Sequence, residues 1–355
     1  MDYSSLAQKH GTPVFLLDAG KAKANLRELK KALSVLPKSR VYYSVKTNPH
    51  PAILKAVAAE GMGFDVSTAL ELEAARSASK QAPTVFNGPC KRESELRAAL
   101  DSNALVNADS LSEIEKLAAL RKEATIGIRV SLFPSKFGFE PSQLSKAFER
   151  AKELGLKPIA LHSHPGTQQK NLVKYSEWLQ QYATEAEKIA EEFALEEISV
   201  GGGIPDKLVL SQNNLSLQDF ANAVENAFSS NLDATIISFE PGRFVCADAM
   251  KLLTRAHYLK ESNGKNYAVC DAGINYLPAI TLAQYKISPA TPRNGVKKRF
   301  AVAGPLLFAN DVLGEINADL KEGDLLVVEN AGAYCTQLAW EIGYGKPKIV
   351  ETEFD

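Results

Sequence analysis

The sequence predicts an α/β fold, a (β/α)8 TIM-like barrel followed by a C-terminal, mainly β domain, and three observations carry that prediction. Eight short β-branched or apolar runs, at residues 41–46, 64–67, 84–88, 104–109, 125–130, 159–164, 197–203 and 235–241, alternate with longer helical patterns. The eight strand–helix units fill about 200 residues, the lower end of what such a barrel occupies. From about residue 246 the rhythm changes to strands separated by turn signals, Gly264-Lys265-Asn266, Thr291-Pro292-Arg293-Asn294-Gly295 and Glu322-Gly323-Asp324. A doubly wound open sheet gives the same alternation and is the alternative.

The elements follow from local patterns. The run at 13–17 stands apart from the barrel rhythm and is expected to join the β domain. The segment 51–60 places Ile53, Leu54 and Val57 on one helical face and stops at Gly61. The segment 172–192 is a longer helix, with Tyr175, Trp178, Leu179, Tyr182 and Ile189 at helical spacing. The expected boundaries are a barrel over 20–245 and a β domain built from 1–19 and 246–355.

Composition excludes several function classes. The 355 residues are 45% hydrophobic and 23% charged with a net charge of −1, and the charges are interleaved along the chain. No basic stripe offers itself to nucleic acid. No apolar run approaches the ~20 residues of a membrane helix, and Met1-Asp2-Tyr3-Ser4-Ser5 lacks signal-peptide character. Cys90, Cys246, Cys270 and Cys335 are too scattered for a disulfide framework. A cytoplasmic protein is expected.

In a barrel, chemistry sits where strands end. Here those ends carry Lys46, Asp65, Asn87, Asp109, Arg129, His164, Gly201-Gly202-Gly203, and Glu240 with Arg243. Lys46 closes an apolar strand, a confined position that favours a neutral amine able to attack carbonyls; a snorkelling surface lysine has the same signature. The three glycines can cradle a phosphate or form a plain tight turn. Glu240 in Glu240-Pro241-Gly242-Arg243 can keep a pyridine nitrogen protonated, and Arg243 can bind a phosphate; a surface ion pair is the alternative. His162 and His164, two apart on one strand, point the same way. They suit a metal or, better, an imidazole stacked on an aromatic cofactor, with Thr167 as a further phosphate donor.

Together these residues resemble the fold-type III pyridoxal-phosphate decarboxylases, the group of diaminopimelate, ornithine and arginine decarboxylases, with alanine racemase more distant. Tyr43-Ser44-Val45-Lys46-Thr47-Asn48 looks like the family's cofactor-lysine strand, and Phe64-Asp65-Val66-Ser67 like its second strand. Asn107-Ala108-Asp109-Ser110 and Ser135-Lys136-Phe137-Gly138 are similar to further family segments, and Arg129 to an arginine beside the pyridoxal ring. His164-Pro165-Gly166-Thr167 resembles the family's His-x-Gly-Ser. The resemblance implies pyridoxal 5′-phosphate as a Schiff base on Lys46, His164 stacked on the ring, and Glu240 at the pyridine nitrogen. It also implies a phosphate cup of Thr167, Gly201, Gly202, Gly203, Gly242, Arg243 and Tyr334. It further implies a head-to-tail homodimer in which the segment Gly304-Pro305-Leu306-Leu307-Phe308-Ala309-Asn310-Asp311 enters the neighbour's site, with Leu307, Phe308 and Asp311 on the substrate side.

Two departures bear on substrate. Leu307 and Phe308 stand where family decarboxylases carry a proton-donating cysteine and an acidic or polar residue. Tyr276-Leu277-Pro278-Ala279-Ile280-Thr281, after Cys270-Asp271-Ala272-Gly273-Ile274-Asn275, lacks the arginine that grips the distal end of diaminopimelate. The expected activity is α-decarboxylation of an amino acid or an aminated, even carrier-linked, biosynthetic intermediate. Lys46, Cys335 and Tyr276 are the candidate proton donors. A racemase, an epimerase or a carbon–carbon bond-forming enzyme is the alternative, and a non-catalytic relative a third.

Overall fold

The computed structural model describes residues 1–228, 235–278, 283 and 285–354; residues 279–281 of the segment that departs from the family lie outside the described residues. The chain divides into two compact units, Asn25–Phe244 and Met1–Ala24 with Val245–Asp355.

The larger unit is a closed parallel barrel. After β1 (Val14–Leu17), its strands are β2 (Ser39–Ser44), β3 (Gly63–Val66), β4 (Thr84–Phe86), β5 (Leu105–Ala108), β6 (Thr125–Arg129), β7 (Lys157–His162), β8 (Glu197–Ser199) and β9 (Ile236–Phe239). Each pairs in parallel with the next, and β9 returns to β2. An open doubly wound sheet is thereby excluded. The strands are short and largely buried because helices cover their outer face. The longest cover is Leu172–Glu192, capped by Asn171, which accepts from the Lys174 amide at 3.1 Å. Its Tyr175, Trp178, Leu179, Tyr182, Ala183, Ala186 and Ile189 are buried. The Tyr182 hydroxyl lies 2.9 Å from the Leu161 carbonyl and 3.0 Å from that of Ser199, tying the helix to β7 and β8.

Several predicted runs overshoot their strands, for backbone reasons. β2 ends at Ser44 and Val45–Thr47 forms one 3-10 turn. β8 ends at Ser199 because Gly201 (φ 64°) and Gly203 (φ 97°) leave extended geometry for a region open to glycine. β7 ends at His162, so His162 and His164 do not share a strand as expected; His164 lies in the loop beyond it.

The smaller unit is a mixed sheet. Its path runs β12 (Lys286–Pro289), β15 (Leu325–Glu329), β10 (Met250–Ser262), β11 (Lys265–Cys270), β13 (Lys298–Ala303) and β14 (Val312–Ala318). β1 pairs antiparallel with β10 and parallel with β16 (Lys348–Glu351). Ala7, Val14, Leu16, Leu253 and Val327 form one of its apolar clusters. Among the described residues no helix is long and apolar enough to cross a membrane.

One buried charge pair secures the barrel wall. Lys91, its side chain fully buried, donates to the carbonyls of Gly88 (2.7 Å) and Asn107 (2.8 Å) and lies 2.7 Å from Glu113 Oε1. Burial pushes the Glu113 carboxyl up, and Lys91 opposes that shift. Lys91→Met leaves an uncompensated carboxylate inside the wall, at a cost of about 3–5 kcal/mol. We expect Tm to fall by roughly 10 °C and Lys91→Met/Glu113→Leu to recover part of it. A single-variant loss within the error of calorimetry would remove the pair from the stabilising interactions.

Candidate active site

Because all eight strands run the same way, their C-terminal ends share one rim, and the polar residues read from the sequence gather there. Lys46 sits on the 3-10 turn after β2, its side chain 40% exposed, with Nζ 2.8 Å from Asp65 Oδ2. The contact sets the amine against a carboxylate and partly in solvent, a less confined place than the sequence suggests. Asp65 is buried and also accepts from Ser44 Oγ (2.7 Å) and Asn87 Nδ2 (2.8 Å). The turn is steadied by Tyr43, whose hydroxyl donates to the Asn48 carbonyl at 3.0 Å.

Glu240 follows β9 and is 4% exposed. Its Oε1 accepts from Ser199 Oγ at 3.0 Å, and its Oε2 lies 3.1 Å from His162 Nε2. Burial alone would raise its carboxyl; His162, with Lys46 and His164 nearby, overrides that and holds it well below the usual carboxylate range. The acid is an anion in a nearly dry place. Sequence reading missed both supports. The signal was there for His162, which closes its strand two residues before His164, but nothing marked Ser199, whose role comes from the β8–β9 register that sets it beside Ser238.

His164 accepts from the Gly166 amide at Nδ1 (3.0 Å). Burial, opposed by Glu240 and reinforced by His162, Lys46 and Arg129, pushes its imidazole down to about 4. A neutral ring presents an apolar face. Arg129 ends β6 beneath the Phe137 ring, its guanidinium carbon 4.4 Å from the centroid. The loop carrying Phe137 is pinned back on Arg129, whose carbonyl accepts from Phe139 (2.8 Å), and Asp109 accepts from the Gly138 amide.

The glycines make a cradle. A Cβ on Gly201 would stand 2.6 Å from the Ser163 carbonyl, on Gly202 2.8 Å from the Glu240 carbonyl, and on Gly203 2.8 Å from the Gly166 carbonyl. Only bare backbone fits there. Arg243, 5% exposed, donates from Nε to Thr167 Oγ1 at 3.3 Å, bringing two of the expected phosphate ligands together. A Cβ on Gly242 would overlap Thr47 Oγ1 on the lysine turn. Donor-rich backbone at one side, a buried anion at the other and an amine on the same rim fit a phosphorylated aromatic aldehyde. Among the described residues no group of three His, Cys, Asp or Glu could hold a metal.

The remaining expected residues lie in the smaller unit. Tyr334 takes a left-handed backbone (φ 63°, ψ 7°), a strained state for a bulky residue that marks functional segments. The Gly304–Asp311 segment is a tight loop with an exposed apolar tip. Leu307 is fully exposed, and the half-exposed Phe308 packs on Trp340 at 5.9 Å between centroids. Asp311, by contrast, is buried and turned inward. Its carboxylate accepts from the amides of Leu306 (2.8 Å) and Ile274 (2.7 Å).

Known proteins share this plan. A family model of the pyridoxal-dependent decarboxylase pyridoxal-binding domain matches residues 21–247. The chain is 30% identical to the diaminopimelate decarboxylase of Pseudomonas aeruginosa, over 93% of this chain and 85% of that one. It is similar to the crystal structure of diaminopimelate decarboxylase from Helicobacter pylori complexed with L-lysine (TM-score 0.89, 30% identity, 100% of this chain and 94% of that chain). It is also similar to that of the lysine/ornithine decarboxylase from Vibrio vulnificus complexed with cadaverine (TM-score 0.89, 28% identity, 98% and 97%). These relatives are decarboxylases, so the racemase and bond-forming alternatives are not favoured. The chain belongs to the pyridoxal-dependent decarboxylase family, and it is a carboxy-lyase that uses pyridoxal 5′-phosphate to act on an amino acid.

Proposed function

We propose that Lys46 carries the cofactor and that the substrate is an amino acid, or an aminated biosynthetic intermediate, whose distal end bears neither a carboxylate nor an ammonium group. The observation that carries the first part is the convergence of Lys46 Nζ, Asp65, Glu240 and His164 on one barrel rim. The second rests on the Leu307–Phe308–Trp340 tip, which offers hydrocarbon and no charge.

Bound there, pyridoxal phosphate supplies an electron sink that accepts the electron pair left when carbon dioxide departs. The rest is the chain's work. Glu240, held anionic by His162 and Ser199, keeps a proton on the ring nitrogen. His164 stacks its neutral ring against the cofactor, and Arg129 and Asp65 flank it. Gly201, Gly202, Gly203, Gly242, Thr167, Arg243 and Tyr334 take the phosphate through backbone amides and polar side chains. Lys46 Nζ returns the proton to Cα. The other candidates are engaged elsewhere: the Tyr276 hydroxyl donates to the Tyr344 carbonyl (2.9 Å), and buried Cys335 lies 3.4 Å from the Tyr285 hydroxyl.

The barrel over residues 20–245 is the cofactor domain in this reading. Residues 1–19 and 246–355 form the β domain, which builds a head-to-tail homodimer with shared sites. Leu307 and Phe308 face the substrate of the neighbouring copy, and Asp311 fixes the loop that presents them. The fully exposed Leu307 beside the half-exposed Phe308 forms an apolar tip that suits such a contact. The four cysteines form no disulfide, in keeping with the cytoplasm.

The purified wild type is expected to be yellow, and Lys46→Ala colourless at equal cofactor; a yellow Lys46→Ala would sink the lysine assignment. Glu240→Gln removes the charge that holds the ring proton and should cost about 10²–10³ in kcat. Carbon dioxide release is expected to be faster with neutral-ended amino acids than with diaminopimelate, ornithine or lysine. Phe308→Asp should raise kcat/KM for lysine about tenfold or more; turnover of diaminopimelate or lysine by the wild type at the highest kcat/KM overturns the substrate reading.

His164 also sets a pH dependence. Its folded value of about 4 lies below the ordinary 6.5, so between these limits the unfolded chain binds a proton that the folded chain does not. Stability should fall as pH drops from about 6.5 towards 4 and be insensitive to this group above that window. Urea midpoints of wild type and His164→Asn across the window test it; equal slopes would exclude His164 as the source.

A further inference from the structure

A line of side chains runs round the barrel interior away from Lys46. Asp65 Oδ2 meets Nζ, Asp65 Oδ1 accepts from Asn87 Nδ2 (2.8 Å), and Asn87 Oδ1 accepts from Asn107 Nδ2 (2.8 Å). These residues lie on β3, just after β4, and on β5, one per neighbouring strand. Chemistry fixes the direction of the line. A carboxylate only accepts, so Asn87 must turn its NH2 to Asp65; its oxygen then faces Asn107, which must turn its own NH2 inward. Asn107 Oδ1 is left pointing at β6, buried and with no donor among the described residues. Room for it exists because the β6 neighbour is Gly127, where a Cβ would overlap that oxygen.

We propose that Asn87 and Asn107 are positioning residues that hold the Asp65 carboxylate without dependence on Lys46, so that Nζ can leave it to bond the cofactor. This rests on the reading of Lys46 as the cofactor lysine. The reasoning is electrostatic. A buried carboxylate with one cationic partner grips it even where that partner is partly exposed. Asn87, polarised by Asn107, and Ser44 Oγ (2.7 Å) share the charge of Asp65, which loosens the grip on Nζ. Lys46 must lose a proton before its nitrogen can add to the aldehyde carbon, with water leaving as the C=N bond forms. Among the described residues, Glu71 on the helix Ala69–Ala78, Glu240 after β9 and His164 after β7 also face Lys46, and none of them changes in the variants below.

The test uses the full chain freed of cofactor and mixed with pyridoxal phosphate, following the visible band of lysine-bound cofactor against pH. Asn87→Ala should move the midpoint of the pH–rate profile upward by about one unit, a tenfold slower capture at neutral pH. Asn107→Ala should move it the same way by less. The double variant should match Asn87→Ala, because Asn107 acts only through Asn87. Far-ultraviolet circular dichroism and Tm show whether each variant folds, and Asn107→Ala, farther from the rim, carries the test should Asn87→Ala fail to. A midpoint that is unmoved or lowered in a folded variant overturns the proposal, as does an additive double variant. Lys46→Ala separates the two readings. If it still gains the band, the lysine assignment has failed; if it loses the band while Asn87→Ala keeps the wild-type midpoint, only the relay has.

Discussion

Everything at this site depends on the closure of eight parallel strands into one ring. Parallel pairing without an edge forces all C-terminal strand ends to one rim, so residues from 46 to 240 in sequence meet within a single mouth. The register then decides which side chains touch. β2 sets Ser44 beside Asp65 of β3, and β8 sets Ser199 beside Ser238, next to Glu240. Short strands suffice because helices such as Leu172–Glu192 dry the outer face.

Two buried carboxylates share that mouth and are supported differently. Glu240 rests on a histidine and a serine, so its charge is offset from the protein side. Asp65 rests on a lysine and on two neutral donors. The difference suits their positions. In the roles proposed for them, an acid beside the cofactor lysine is useful only if the amine can be released, whereas an acid beside a ring nitrogen is useful only if its charge never lapses.

The relatives named for diaminopimelate and for lysine and ornithine share the barrel and sheet with this chain at TM-scores near 0.89. One of the two departures read from the sequence lies on the Gly304–Asp311 loop. Its backbone is closed by Asp311, which draws in the Leu306 and Ile274 amides, so the loop keeps its shape while its tip changes chemistry.

By itself the sequence determined the barrel, the β sheet that follows it, and most of the polar strand ends. Each is written locally, as alternating apolar runs, a turn signal or a charged residue at the end of a strand. Lys46, Asp65, His164, Glu240 and Arg243 could be picked out that way. What only the tertiary structure decided was partnership. His162 was weighed as a metal ligand or a stacking ring and proves to be the support of Glu240, 78 residues away. Asp311 was placed with the substrate-side residues and holds its own loop. Asn107 carried no signal of its own, because its meaning lies in its neighbours on β4 and β6. Hydrogen bonds between strands depend on register and on the hand of closure, and neither is encoded in any one segment.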